Sequence, residues 1–364
     1  MYDKISSLNR QIKIESFKSF KRLLFKTQVL SLDLNVGDTL MNRLTHSYMV
    51  KSGSEMIAES IKINGINIDY KYALGNVSLL HDIGQAPFGH SGTTIITEEF
   101  KKLGLDESFD DNNNNFVVIK KNGGFNFITD YELASLIKYP TKLYKDQKIK
   151  LLPILELSIN QDIKHFTQQG LKISNRPFRT VGCEIMDEAD RNAYVCNDLT
   201  DALIHGFITK KHFKTIMEKN YNSIEIKEWL YSLYAFVKMK DVSLIGFAFN
   251  KLFSMLSSNY YLGDNLLLSP KSKELIELRE DLYTLEKEMF IKNDKVVKVT
   301  DDNCRLLKKY IKYVVDNEHY TSNTYKHNIK HSANEQEKLT HIRNMVGECS
   351  DWFIYRECEK LWLK

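Results

Sequence analysis

Four side chains with the chemistry of metal ligands lie on or beside apolar stretches of the sequence: His46, the adjacent pair His81 and Asp82, and Asp190. A charged or imidazole group in such a stretch needs a polar partner, because burying it alone is costly. Imidazole nitrogens and carboxylate oxygens suit Mn, Mg, Fe, Co, Ni or Zn and leave positions for water and phosphate. The set therefore predicts a divalent metal site.

Each of these pieces is ordinary when it is taken alone. A single histidine in a helix such as THSYMV is most often a satisfied core or surface residue, and a His-Asp dipeptide is common. The four aspartates at 187, 190, 198 and 201 could equally be the solvated face of one helix. The chemical interpretation therefore depends on their joint context in the chain.

Long stretches compatible with helix must position these residues. With only five prolines and 16 glycines in 364 residues, the sequence predicts an all-α fold. Helices are expected at 15–30, 45–63, 70–82 and 181–206, and a Gly/Pro-containing turn at 84–90. The tract DDNNNN at 110–115 predicts a loop, and FVVIKKNGGFNFI after it predicts a small β-hairpin, an insertion at about 112–130.

The domain organisation that we predict has a catalytic core at 1–206 and a helical region at 207–364 that completes it. Breaks are expected near 258–265, 293–303 and 316–336. Five cysteines without a CxxC pair argue against a zinc-thiolate site and against a disulfide framework. A net charge of +4 does not indicate nucleic-acid binding, although a local basic groove is compatible with it. No apolar run of about 18 residues occurs, so no membrane association and a cytoplasmic location are expected.

Several motifs in order resemble one known family. RLTHS (43–47), LLHDIGQAPFGH (79–90) and EIMDEADRNAYVCNDLTDA (184–202) are similar to signatures of the dGTPase-type deoxynucleoside triphosphate triphosphohydrolases of the HD superfamily. FKRLLFKTQV (20–29), GFNFIT (124–129) and LASLIKYP (133–140) resemble that family in the same order, and RNMVGECSDWF (343–353) does so more weakly. The resemblance covers roughly residues 15–205. It implies an HD-domain helical core.

The resemblance assigns roles to individual residues. His46, His81, Asp82 and Asp190 match the four metal ligands, and Asp190 is preferred to Asp187 because it stands four residues before Tyr194.

The substrate-binding positions follow by the same resemblance. Tyr194 would pack against the deoxyribose, while Asp198 and Gln28 would hydrogen-bond the 3′-hydroxyl. Arg43 matches a phosphate-binding arginine, and Arg191 falls where the family presents a polar residue to the phosphates. A surface ion pair is the alternative interpretation of Arg191.

Two positions beside the expected metal site depart from the family pattern. The family usually has His or Asn where Gln85 stands and an acidic residue where Thr93 stands, while His90 is kept. Neither Gln85 nor Thr93 can transfer a proton as an imidazole or a carboxylate does. Two interpretations follow: His90 acts alone with metal-activated water, or Glu98 or Glu99 supplies the missing group. A Thr93→Glu change is expected to raise turnover.

The predicted activity is metal-dependent hydrolysis of deoxynucleoside triphosphates, dGTP among them, to deoxynucleoside and inorganic triphosphate. In this mechanism Asp82 serves the metal and His90 handles a proton. A homo-oligomer, either a dimer of dimers or a hexamer, is expected from the resemblance. Two alternatives stay open: an HD phosphohydrolase acting on a nucleoside monophosphate or cyclic nucleotide, and a nucleotide-binding regulatory protein with little turnover.

Overall fold

The computed structural model describes residues 4–28, 41–68, 71–219, 221–318 and 323–362. This part of the chain is all-α with one small β-hairpin, as predicted. The hairpin pairs β1 (Tyr260–Leu262) with β2 (Leu268–Pro270) in antiparallel register. No helix in the described ranges is both long enough and apolar enough to cross a membrane.

The α-helices of the described residues run in the following order: α1 (Lys4–Ser16), α2 (Lys18–Lys21), α3 (Arg43–Ile63), α4 (Lys71–Leu80), α5 (Gly89–Lys102), α6 (Asp111–Lys121), α7 (Asp130–Ser135), α8 (Lys145–Gln168), α9 (Val181–Ile204), α10 (Lys210–Met217), α11 (Ile224–Met239), α12 (Val242–Ser257), α13 (Lys273–Glu286), α14 (Asp294–Asn317), α15 (Asn323–Lys330), α16 (Glu335–Glu348) and α17 (Asp351–Trp362). The chain forms two compact units. The first contains residues 1–12, 46–79 and 128–293, and the second contains 13–45, 80–127 and 294–364.

The first unit is built around the long helix α9. Thr180 caps α9 by accepting a hydrogen bond from the backbone N–H of Cys183, which satisfies one of the free donors at the helix start. Helices α7, α12 and α13 pack against α9. In the same unit, a Cβ at Gly53 would lie 2.7 Å from the ring of Phe253, so glycine allows α3 to approach α12 closely.

The second unit has an apolar core between α5, α14, α16 and α17. Its buried members include Phe100, Phe109, Tyr310, Ile342 and Ile354. Helix α6 in this unit begins with the tract that predicted a loop. Asp110 caps it by accepting a hydrogen bond from the N–H of Asn113 at 2.9 Å.

Several predicted elements differ from the structure. The hairpin predicted for about 112–130 is wrong: these residues form α6 and a 3₁₀ turn at Gly124–Asn126, and the hairpin lies at 260–270 instead. The helix predicted for 15–30 is broken at Phe17 and ends in a 3₁₀ turn at Arg22–Phe25, while residues 29 and 30 lie outside the described ranges. Helix α14 runs through the break that we predicted near 293–303. The helices predicted at 45–63, 70–82 and 181–206 are confirmed as α3, α4 and α9.

Candidate active site

In the first unit, His46 contacts Asp190. His46 Nε2 lies 3.0 Å from Asp190 Oδ1, and the imidazole is buried with 1% of its surface exposed. The other ring nitrogen, Nδ1, lies 3.3 Å from the side-chain amide of Asn197, about two turns after Asp190 on the same face of α9. An imidazole that is held at one nitrogen and faces a carboxylate at the other is the arrangement expected of a metal-binding histidine.

Asp190 and Asp187 have different surroundings, although both lie on α9. Asp187 accepts from Arg179 at 3.3 Å and Arg191 at 3.2 Å. The ammonium of Lys138 lies between the two aspartates, 3.2 Å from Asp187 Oδ1 and 2.8 Å from Asp190 Oδ2. The contact of Asp190 with His46 therefore distinguishes it from Asp187, which belongs to an arginine-rich ion pair network.

The Arg191 side chain points to carboxylates of its own helix. Its guanidinium lies 3.2 Å from Asp187 and 3.0 Å from Glu188, and 57% of the side chain is exposed. These are i,i+4 and i,i+3 pairs on a helix surface, which are each worth about 0.3–0.5 kcal/mol. The geometry matches the surface ion pair that the sequence left as the alternative for Arg191.

Tyr194 and Asp198 lie one turn apart on α9 and share a buried polar cluster with Glu286. Burial raises the pKa of Asp198 well above its usual range, and the nearby Glu286 and Asp201 carboxyls raise it further. The neighbouring Tyr194 hydroxyl acts in the opposite direction. Burial also raises the pKa of Glu286, to about 8, while the nearby Asp198 and Tyr194 side chains lower it. Neutral carboxyl groups are favoured in this cluster.

In the second unit, His81 and Asp82 occupy the turn that follows α4. The turn is held by α6: Asn115 donates to the carbonyl of His81 at 2.6 Å and accepts from the N–H of Gly84 at 2.7 Å. A Cβ at residue 84 would lie 2.2 Å from the backbone nitrogen of Asn115, so only glycine permits this approach. Asn114 adds a hydrogen bond to the Gly84 carbonyl at 2.7 Å. Helix α6 therefore fixes the backbone that carries both residues.

Arg43 is buried and forms an ion pair with Asp82, with 2.5 Å between Nη1 and Oδ2. Although burial acts to lower the pKa of Arg43, the carboxylates of Asp82 and Asp111 raise it. Nη2 also reaches the backbone carbonyl of Gln28 at 3.4 Å. The side-chain Oε1 of Gln28 is buried and accepts no hydrogen bond from the described residues. Arg43 and Gln28 thus bring a positive charge and a hydrogen-bond acceptor close together in this unit.

Gln85 and Thr93, the two positions that depart from the family pattern, both hydrogen-bond Asp111. Thr93 Oγ1 donates to Asp111 Oδ2 at 2.6 Å, and Gln85 Nε2 donates to the same oxygen at 3.2 Å. The backbone N–H of Ala86 donates to Oδ1 at 2.8 Å. The partly buried carboxyl group of Asp111 thus lies beside Gln85 and Thr93, neither of which has a carboxyl group of its own.

His90, Glu98 and Glu99, the residues that the sequence offered for proton transfer, all lie on α5. The His90 side chain is exposed, and Glu98 is also exposed. Glu99 pairs with Lys102 at 2.6 Å on the same helix. Because Glu98 and Glu99 lie more than two helical turns after His90, α5 itself carries them away from that residue.

Asp351, in the segment that resembles the family weakly, is fully buried at the start of α17. It accepts three hydrogen bonds: from the Thr27 N–H at 3.0 Å, from the Thr27 hydroxyl at 2.8 Å and from the Phe88 N–H at 2.8 Å. Phe88 has a left-handed backbone with φ of 60°, which is unfavourable for a residue other than glycine. Asp351 therefore stabilises the strained turn at Phe88 and holds Thr27 in place. Burial lowers the pKa of the neighbouring Lys26 to about 8, although Asp351 opposes this.

Sequence reasoning missed four residues of this region: Lys138, Asn197, Asp111 and Asp351. Lys138 lies in LASLIKYP and Asn197 in the helix that carries Asp190, so both stood inside the recognised motifs. Asp351 stood in the weaker RNMVGECSDWF segment. Asp111 belonged to a polar tract that carried no such signal.

No protein-family model matches the chain. Curated proteins named deoxyguanosinetriphosphate triphosphohydrolase-like protein are similar to it. One from Shewanella loihica is 28% identical over 53% of this chain and 52% of its own length. One from Wolinella succinogenes is 31% identical over 52% and 47%, and one from Vibrio cholerae is 28% identical over 57% and 50%. The chain spans about half the length of these relatives. The comparisons confirm the family resemblance that the motifs predict.

Proposed function

We propose that this chain, a relative of the deoxyguanosinetriphosphate triphosphohydrolase-like proteins, hydrolyses deoxynucleoside triphosphates to deoxynucleoside and inorganic triphosphate with the help of a divalent metal ion. The observation that carries the proposal is the contact between the buried His46 imidazole and Asp190. dGTP is included among the substrates because the names of the relatives specify it.

The proposed metal ligands are His46, His81, Asp82 and Asp190. Two imidazoles and a carboxylate from this set, His46, His81 and Asp190, are donors that could hold a metal ion, and both imidazoles are buried. The donor chemistry fits Mn, Mg, Fe, Co, Ni or Zn. Such an ion supplies Lewis acidity toward a phosphoryl oxygen and lowers the pKa of water.

The remaining residues bind and orient the nucleotide in this proposal. Arg43 carries a permanent positive charge beside Asp82, and it would offset the charge of the triphosphate. The open Oε1 of Gln28 would accept a hydrogen bond from the 3′-hydroxyl, and Asp198 would bond the same group. Tyr194 would lie against the deoxyribose and exclude a 2′-hydroxyl. His90 is proposed to handle a proton, and Arg191 is the weakest assignment because of its surface ion pairs.

The decisive experiment separates products by ion-exchange chromatography after incubation with Mn²⁺ or Mg²⁺ and each of the four deoxynucleoside triphosphates. Release of intact triphosphate supports the proposal. Parallel incubations with ATP, nucleoside monophosphates and cyclic nucleotides test the other HD phosphohydrolase reactions. Binding without products indicates the regulatory alternative, and equal turnover of ATP and dATP contradicts the role of Tyr194.

A matched pair of variants tests the proposed metal site. Asp190→Asn should lose turnover and bound metal, because the amide removes a charged ligand that contacts His46. Asp187→Asn, on the same helix but in the arginine network, should keep both. Full metal content of the Asp190→Asn protein by elemental analysis would show that Asp190 is not a ligand. The proposed homo-oligomer and cytoplasmic location stay predictions.

A further inference from the structure

Asp111 is a partly buried carboxyl group for which the sequence assigned no role. It lies at the first position of α6, and its neighbours come from three other places in the second unit. Gln85 and Ala86 lie in the turn after α4, Thr93 lies on α5, and Arg43 begins α3. Arg43 and His90 are the charged groups that act on it. The site is therefore built from several elements around one carboxyl group.

The hydrogen bonds to Asp111 leave it one acceptor position. A carboxylate offers about four lone-pair positions. Oδ2 receives the hydroxyl of Thr93 and the amide of Gln85, whereas Oδ1 receives the N–H of Ala86 and nothing further from the described residues. Oδ1 can therefore accept one more proton donor, such as a water molecule.

We propose that Asp111 is the proton acceptor of the reaction and supplies the function that Gln85 and Thr93 lack. This inference rests on the proposed function. As the water oxygen bonds the α-phosphorus, one water proton passes to Asp111 Oδ1. The bond between phosphorus and the 5′-oxygen breaks, its electron pair stays on that oxygen, and the oxygen takes a proton from solvent by way of His90. Asp111 then returns its proton to solvent, which completes the balance.

The electrostatic setting agrees with this role. Burial raises the pKa of Asp111, which makes its carboxylate a stronger base, while the hydrogen bonds from Thr93 and Ala86 and the charges of His90 and Arg43 oppose that rise. Arg43 also pairs with Asp82, so one guanidinium interacts with a proposed metal ligand and with the proposed base.

Asp111→Asn is the direct test because the amide can fit the same place. Its oxygen can accept from Ala86, and its NH₂ group can donate to the Thr93 hydroxyl and to the Gln85 amide oxygen after that amide rotates. The variant should bind dGTP with Mn²⁺ as the unmodified protein does, within about threefold. Its kcat should fall by about 10²–10⁴-fold, the usual contribution of general acid–base catalysis. Asp110→Asn is the matched control, since asparagine caps a helix as well as aspartate does.

Thr93→Val is the second variant, which keeps the carboxyl group and removes one hydrogen bond to it. The Thr93 hydrogen bond lowers the pKa of Asp111, so its loss should move the acid limb of the kcat profile to higher pH. An Asp111→Asn enzyme with kcat within threefold of the unmodified protein, or an acid limb unmoved in Thr93→Val, overturns the role of Asp111 alone. No turnover by the unmodified protein overturns the proposed function, and this inference with it.

Discussion

The ammonium nitrogen of Lys138 lies 2.8 Å from Oδ2 of Asp190, while Oδ1 of the same carboxylate faces His46. Asp190 thus has a fixed positive charge on one oxygen and an imidazole on the other. The charge of Lys138 opposes that of any cation that Asp190 binds. If Asp190 is a metal ligand as proposed, this lysine is expected to weaken metal binding.

Lys138→Met should tighten Mn²⁺ binding, because methionine keeps the aliphatic stem and removes the charge. Two unit charges about 4 Å apart interact by about 4 kcal/mol at an effective dielectric constant of about 20, so a tenfold gain is a modest expectation. Isothermal titration of the apoprotein with Mn²⁺ measures it. Lys142→Met, at an exposed lysine nearby, should leave the affinity unchanged. Weaker binding in Lys138→Met would mean that the lysine instead orients Asp190.

Asn197 should control which nitrogen of His46 is available to a metal. Coordination through Nε2 requires a proton on Nδ1, and a rotated Asn197 amide presents its oxygen to that N–H. Asn197→Leu removes this acceptor, and the loss of such a partner typically costs about 10–100-fold in metal affinity. Asn197→Asp keeps an acceptor and should restore binding. Equal Mn²⁺ affinity in the leucine variant and the unmodified protein would contradict this role.

Thr93→Glu should not raise turnover, contrary to the expectation from the sequence. The Thr93 hydroxyl donates to Asp111 at 2.6 Å, so a glutamate there would bring a second carboxylate to a partly buried one. We expect the free energy of unfolding to fall by about 1–3 kcal/mol, as for other unsatisfied buried polar groups. Urea unfolding measures the change, and Thr94→Glu at the exposed neighbouring position is the control. Faster turnover at unchanged stability would restore the original expectation.

Glu286 should make stability fall as pH rises from about 4.5 to about 8. Burial raises its pKa from 4.5 to about 8, so the neutral carboxyl is favoured in the folded chain. The stabilisation is complete below the unfolded pKa and is lost as pH rises through about 8, a total on the order of a few kcal/mol. Glu286→Gln should therefore lose less stability than the unmodified protein between pH 6 and pH 9 in urea unfolding. Parallel curves for the two proteins would show that Glu286 is ionised throughout.

The sequence predicted α3 and α9 because both lie in long stretches of helix-compatible residues without proline. It predicted α6 wrongly because a run of asparagines has low helix propensity. Asn114 and Asn115 are buried there, and their side chains hydrogen-bond the turn at residues 81–84. Tertiary contacts thus outweigh local preference, and no pattern in a single sequence records them.

The same limit applies to the site. His46 and Asp190 stood out because their types and motifs are recognisable. Asp111 did not, because its side-chain partners are 18 and 26 residues away in sequence and its meaning depends on Gln85 and Thr93. A functional group that is missing in one segment can be supplied by another segment. A reader of the sequence recognises this only when the fold shows the two segments side by side.

The hydrogen bonds of Asp351 have a consequence for synthesis. They join residues separated by 324 and 263 positions along the chain, and one of them holds the left-handed turn at Phe88. A ribosome that has translated the motifs around residues 20–90 has therefore not yet made the carboxylate that fixes their geometry. The nascent chain can complete this turn only after residue 351 has emerged, so the order of translation places its maturation late.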